Sequence, residues 1–221
     1  MAITFQSKAQ ESISSSFNLP NYDQRAFHYG FLIGLHSSSF RQQYNSAFDD
    51  SLAIHSIQPR QAPGFSLGFI VNYNLAQYLD IRLTPTVGFY EYKVDYNYLN
   101  RPSEVQSVEA TNVEFPLLFK YKSLRRNNLR MYVVGGFKYA FEASGKKDRE
   151  AEEDALFVRD SNFAIEIGFG LDMYYPLFKF APEIRFSRGL NNVLNYQSDN
   201  RYTSVLSKLA INSVTLYIQF E

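Results

Sequence analysis

The chain has 221 residues, enough for one domain or a small pair, and its Lys+Arg 22 balance Asp+Glu 22 at a formal net charge of +0, so no basic field exists to recruit nucleic acid. Hydrophobic residues make up 45% and mean hydropathy is -0.28; no apolar run approaches the length of a membrane-spanning helix, which excludes a helical membrane protein but not a barrel. Cys 0 removes disulfides, cysteine nucleophiles and thiolate zinc sites.

Met1-Ala2-Ile3-Thr4-Phe5, followed by Gln6-Ser7-Lys8-Ala9-Gln10, reads as the tail of a secretory signal, with Ser7 and Ala9 placed for cleavage before Gln10. Residues 1–9 are therefore expected to be a residual signal-peptide tail. The stretch 10–26 is polar, contains Ser14-Ser15-Ser16 and Asn18-Leu19-Pro20-Asn21, shows no period, and is expected to be a flexible periplasmic lead-in. A barrel is expected over 27–221.

From Phe27 onward the apolar residues fall on every second position, the period of a strand with one greasy face. Phe27, Tyr29, Phe31, Ile33 and Leu35 oppose His28, Gly30, Leu32, Gly34 and His36 in the first strand. Phe65, Leu67, Phe69, Val71 and Tyr73 oppose Gly64, Ser66, Gly68, Ile70, Asn72 and Asn74 in the second. The third sets Leu79, Ile81, Leu83, Val87 and Phe89 against Asp80, Arg82, Thr84, Thr86 and Gly88, and the fourth Val113, Phe115, Leu117, Phe119 and Tyr121 against Asn112, Glu114, Leu118 and Lys120. In the fifth, Leu129, Met131, Val133, Phe137, Tyr139 and Phe141 face away from Arg130, Tyr132, Gly136, Lys138 and Glu142. In the sixth, Phe163, Ile165, Ile167, Phe169, Leu171 and Met173 face away from Glu166, Gly168, Gly170 and Asp172. The seventh pits Phe178, Phe180, Ile184 and Phe186 against Lys179, Glu183 and Arg185, and the last carries Val214, Leu216, Ile218 and Phe220.

About eight strands, an even number, predict an all-β, antiparallel transmembrane barrel of the outer membrane, since lipid tolerates no free sheet edge. The links near Ala76-Gln77, Ser123 to Asn128 and Tyr175-Pro176 are short, whereas Arg41 to Ala62, Glu91 to Ser107, Ser144 to Ser161 and Arg188 to Ser207 are long and polar. That asymmetry predicts short periplasmic turns and long extracellular loops in a Gram-negative envelope. Tyr 17 and Phe 20 suit the membrane–water boundary.

A soluble calyx would bury its apolar face and expose its charges, so the opposite arrangement separates the two. Here the polar parity carries Arg82, Glu114, Lys120, Arg130, Lys138, Glu166, Asp172, Lys179, Glu183 and Arg185. These ten are expected to fill a narrow lumen as a salt-bridged plug with no diffusion channel. Pro85, Pro116 and Pro182 fall inside strands, where a missing N–H breaks the ladder, and are expected at bulges near the rims. Leu216, Ile218 and Phe220 form the expected C-terminal assembly signal read by the barrel-assembly machinery.

Three stretches carry a further resemblance. Asn18-Leu19-Pro20-Asn21-Tyr22-Asp23 leading into His28-Tyr29-Gly30-Phe31 is one, and Ala181-Pro182-Glu183-Ile184-Arg185-Phe186-Ser187 another. The third is Glu114-Phe115-Pro116-Leu117-Leu118-Phe119-Lys120-Tyr121-Lys122-Ser123 with Arg126-Asn127-Asn128-Leu129-Arg130-Met131-Tyr132-Val133. Together they resemble the PorT (SprT) family of outer-membrane barrels. The Leu-Pro-Asn-Tyr-Asp lead-in and the Arg-x-Asn-Asn-x-Arg-x-Tyr turn carry most of the likeness. The resemblance implies an accessory part in type IX protein secretion, in export or in assembly of the exporter, with gliding motility in some cells and no catalysis.

Catalytic and metal readings are weaker. His28, His36 and His55 are the only histidines, and His28 and His36 lie too far apart along one strand to share a metal; no metal or cofactor is expected. His36-Ser37-Ser38-Ser39 has the residue types of a rim hydrolase, yet serines beside a histidine at a strand end are more often hydrogen-bonding partners, and the expectation is a non-enzyme. Gly168-Phe169-Gly170 lacks the following helix of a phosphate loop and is expected to clear space for bulky lumen side chains. Expected partners are outer-membrane lipid, the barrel-assembly machinery and type IX subunits. The turn Arg125, Arg126, Asn127 and Asn128 is the candidate partner contact, against the blander reading of a solvated turn with Asn in left-handed geometry. The alternatives are a stand-alone structural or adhesive barrel acting through its loops and a rim-sited hydrolase.

Overall fold

The structure, a computed structural model, describes residues 17–44, 54–98, 104–143, 161–192 and 206–221. Residues 1–9, most of the lead-in before Phe17, the third loop and most of the fourth lie outside the described residues. Among the described residues there are ten strand segments: β1 (Phe27–Tyr44), β2 (Ile54–Arg60), β3 (Ala62–Ala76), β4 (Leu79–Leu83), β5 (Thr86–Tyr98), β6 (Glu104–Lys122), β7 (Leu129–Glu142), β8 (Ser161–Tyr174), β9 (Lys179–Gly189) and β10 (Leu206–Phe220). Because β2 and β3 are parted only by Gln61, and β4 and β5 only by Thr84-Pro85, they make eight staves.

Each stave runs antiparallel to its sequence neighbours, and the cylinder closes where β1 pairs with β10 on one side and β3 on the other. The closing register joins Phe31 to Phe220 and Leu35 to Leu216. Period-two alternation makes this register self-consistent, because a slip by one residue would turn the outward-facing phenylalanines inward and the buried charges toward lipid. Phe31, Leu67, Phe119, Met131, Ile167 and Phe186 lie exposed on the outer wall, while Arg82, Lys120, Glu166 and Arg185 are buried inside it. Two small apolar clusters, Leu32 with Ile70 and Tyr217, and Leu118 with Tyr132, Val134 and Ala181, punctuate an otherwise polar interior.

Two of the expected long loops are shorter than their polarity suggested. The first narrows because β1 continues to Tyr44 and β2 begins at Ile54; the second narrows because β5 runs to Tyr98 and β6 starts at Glu104. In Tyr90-Glu91-Tyr92-Lys93-Val94-Asp95-Tyr96 the charges are one parity of a strand that still alternates with β-formers, so charge was no sign of a loop there. Among the described residues the wall therefore extends further at β1, β2, β5 and β6 than at β7, β8 and β9.

The prolines sit at interruptions in the ladder, but not all at the rims. Pro85 separates β4 from β5 deep in the wall, and Pro116 faces that break across β6. The backbone compensates: the Phe69 N–H donates to the Pro85 carbonyl at 3.0 Å and the Thr84 N–H to the Pro116 carbonyl at 3.1 Å. Placing Pro85 and Pro116 at one discontinuity puts both of their missing donors in the same spot. Pro182 coincides with a gap in pairing between Gly170↔Glu183 and Met173↔Phe180.

Residues 17–26 differ from the flexible lead-in expected for them. They fold across the rim that carries the short turns, with a 3-10 turn at Tyr22–Gln24. The Asn74 N–H donates to the Ala26 carbonyl at 2.8 Å and the Asn74 amide to the Asp23 carbonyl at 3.0 Å. An irregular sequence conceals such order, because its contacts are side chain to backbone and have no period.

Candidate functional site: the charged lumen and its mouth

The ten charged residues singled out for the lumen are all buried, with relative exposures of 8% or less. Arg185 on β9 bridges two acids, donating from Nε to Glu183 at 2.8 Å and from Nη1 to Glu166 at 3.1 Å. Lys138 reaches Glu114 at 3.1 Å and Glu166 at 3.4 Å, and the Tyr90 hydroxyl donates to Glu114 at 2.6 Å. On the other side of Glu183 stands Arg82, 3.4 Å away, which also donates to Gln219 at 2.6 Å, to Asn72 at 3.1 Å and to Glu221 at 2.8 Å. Lys120 holds Asp172 at 2.8 Å and lies 3.7 Å from the centre of the Tyr132 ring, whose hydroxyl donates to Glu183 at 2.9 Å. Lys179 joins Glu221 at 2.8 Å and Asp172 at 3.8 Å.

The result is one connected lattice along the lumen. A lone charge there would cost several kcal/mol, so each ion requires its counter-ion and hydrogen bonds together. Parity found nine of its members, the tenth, Arg130, pairing with Asp23 at the mouth, and the structure adds Asp80, Lys122 and Glu221, with Lys122 2.6 Å from Asp80. The first two carry inward parity but lie beside turns, where a charge reads as rim decoration. Glu221 follows the last apolar residue of β10 and has no periodic neighbour to mark it. Gly170 does clear space: a Cβ there would run into the Tyr132 ring.

The mouth at the short-turn rim is closed by the lead-in. Asp23 accepts a bidentate pair from Arg130 at 2.8 and 2.7 Å. Burial pushes the Asp23 carboxyl up, but the Arg130 hydrogen bonds and charge, with Lys122 and Arg125 nearby, outweigh it and hold the group below its usual 3.8. Tyr22 stacks on His28 with ring centres 4.1 Å apart and donates its hydroxyl to Glu221 at 2.9 Å; burial and then the Glu221 charge raise that phenol. Asp23 and Tyr22 come from a segment without period, so nothing in the alternation pointed to them.

The turn at Arg125, Arg126, Asn127 and Asn128 departs from an outward cluster of donors. Arg125 turns toward the chain's own lead-in: Nη1 donates to the Leu19 carbonyl at 3.4 Å, Nη2 to Asn128 Oδ1 at 3.0 Å and also to the Asn18 carbonyl, and Nε to the Asn127 carbonyl at 2.9 Å. Its guanidinium lies 3.6 Å from the Tyr174 ring centre and 4.2 Å from that of Phe17. Asn18 completes the clasp, its N–H donating to Asn128 Oδ1 at 3.0 Å and its amide to the Tyr174 carbonyl at 2.9 Å. Arg126 remains exposed, and Asn127 adopts φ 53, the left-handed geometry that asparagine tolerates. The reason for Arg125's inward turn is local: carbonyls of an irregular segment need donors, and a planar guanidinium supplies several at once.

His36 and Ser38 lie together, Nδ1 3.4 Å from Oγ, with the imidazole stacked on Tyr90 at 4.1 Å. Both are buried in the lumen rather than presented at a rim. On β10, Leu216, Ile218 and Phe220 face the outer wall, where Phe220 stacks on Phe31 at 5.0 Å and so fastens the closing seam.

Among solved structures, the outer membrane protein OprG from Pseudomonas aeruginosa aligns over 89% of this chain and 96% of its own at 13% identity, TM-score 0.49. Neisserial surface protein A aligns over 88% and 98% at 11% identity, TM-score 0.46. Ail, the attachment invasion locus protein of Yersinia pestis, aligns over 89% and 98% at 11%, TM-score 0.36. No curated protein matches the sequence. The family described as outer membrane protein beta-barrel domain matches residues 7–195, most of the chain. With lipid-facing aromatics outside and ions within, the chain belongs to that family, a small β-barrel of the Gram-negative outer membrane.

Proposed function

We propose that this barrel is a non-enzymatic, non-conducting accessory component of type IX protein secretion, acting through its rims and not through its lumen. One observation carries the reading: the two motifs behind the likeness to the PorT family, Leu19-Pro20-Asn21-Tyr22-Asp23 and the turn from Arg125 to Tyr132, meet at the periplasmic mouth through Asp23 with Arg130 and Arg125 with Asn18 and Leu19. Distant stretches of sequence that share one structure share one constraint. A lumen spanned by paired ions leaves translocation to other subunits and suits a part that anchors or organises them. The assembly machinery is engaged through Leu216, Ile218 and Phe220 of β10.

Deleting the gene tests this directly. Cargo bearing a C-terminal sorting domain is expected to accumulate in the periplasm instead of reaching the surface; export at the parental level would remove the proposal.

A further inference from the structure

The periplasmic mouth holds its own lead-in in a way that suits exchange. None of residues 17–26 is fully buried, and apart from the Tyr22 ring, which packs on His28, the segment is fixed by hydrogen bonds and ion pairs. Leu19, a branched residue, sits at φ 50, a left-handed conformation unfavourable for any side chain with a Cβ. Beneath the segment, three side chains that touch it are nine-tenths buried yet each keeps one polar atom without a partner: His28 Nδ1, Arg130 Nε and the Tyr174 hydroxyl. Such groups penalise the resting arrangement, and an occupant that satisfied them would bind in preference to it.

We propose that the mouth is a receptor for an acidic, extended segment of a periplasmic protein, occupied at rest by the chain's own residues 17–26. Arg130 offers a planar fork that takes a carboxylate end-on through Nη1 and Nη2 at 2.8 and 2.7 Å. Arg125 offers donors to successive carbonyls of the guest backbone, as it does now to Asn18 and Leu19. Charge complementarity selects the guest: withdrawing Asp23 removes the acid paired with Arg130 and leaves the rim cationic. The receptor stands apart from the secretion reading, since a barrel with no part in export would have the same mouth.

The test uses the full chain folded in detergent or vesicles and a fluorescent peptide, Asn-Leu-Pro-Asn-Tyr-Asp, copying residues 18–23, with Asn-Leu-Pro-Asn-Tyr-Asn as control. Asp23→Asn weakens the resident segment, so the probe is expected to bind that variant saturably and about tenfold more tightly than the unsubstituted chain. The control peptide is expected to lose most of that binding, as is Asp23→Asn combined with Arg130→Gln. Equal binding of the two peptides would overturn the proposal without any need for the Arg130 variant to fold. Probe affinity for Asp23→Asn no higher than for the unsubstituted chain would overturn it too, leaving the lead-in a permanent stopper.

Discussion

Two arginine–carboxylate sites in this barrel use the same chemistry to different ends. In the lumen, Arg185 and Glu183 are both carried by β9, both essentially inaccessible, and locked among Glu166, Arg82 and Tyr132. At the mouth, Arg130 is carried by β7 but Asp23 comes from an irregular segment, and its side chain keeps 37% exposure. The first pair cannot separate without unmaking the wall, whereas the second can part with the barrel intact. Identical groups thus become scaffold or fastening according to whether both partners are strand-borne.

Removing one ion from the scaffold should have the largest effect. Glu183→Ala removes the acid that Arg185 and Arg82 share and the acceptor of the Tyr132 hydroxyl, leaving the buried lattice with an excess positive charge, and the barrel is expected to lose about 3–5 kcal/mol of stability in denaturant unfolding from vesicles. A loss no greater than that of an exposed rim substitution would erase the distinction between the two sites. Gly170→Val, which drives a side chain into the Tyr132 ring, should cost about 1–3 kcal/mol on the same assay. At the mouth, Arg125→Ala is expected to leave the global unfolding midpoint nearly unchanged while raising protease cleavage within residues 17–26. Loss of a partly exposed clasp of this kind is worth about 1 kcal/mol.

Acid should sharpen the contrast last and least. The Asp23 carboxyl is depressed below its ordinary 3.8 by Arg130, so its contribution to docking is complete above that value and is lost as pH falls through its lower, folded value. A nitroxide at Phe17→Cys, the sole thiol in a chain with Cys 0, is expected to stay immobile from neutral pH down to about 5 and to gain mobility only below the ordinary carboxylate range. Mobility that rises near pH 6 would assign the clasp to some other group.

The wall was legible in the sequence because alternation is a long-range, redundant signal: Phe31, Phe119 or Ile167 could each mislead alone, but not together. The ten lumen ions followed from the same parity. What lay beyond reach was whatever parity does not govern. Charged Glu91, Lys93 and Asp95 looked like a loop although β5 continues through them to Tyr98, and Pro85 gave a break without its depth. Asp23, Tyr22 and Asn18 act through isolated contacts with Arg130, Glu221 and Asn128, more than a hundred residues away in sequence. Arg125 was conspicuous as a donor, but three of its four acceptors are backbone carbonyls, which every residue has and no sequence advertises.

The position of Glu221 bears on how such a cylinder is completed. Its carboxylate serves Arg82 on β4, Lys179 on β9 and the Tyr22 hydroxyl at once, and it arrives only with β10. Until that stave zips onto β1, a guanidinium and an ammonium await their strongest acceptor in a half-made interior. Closing the ring and completing the charge pairing of Arg82 and Lys179 therefore depend on the same stave.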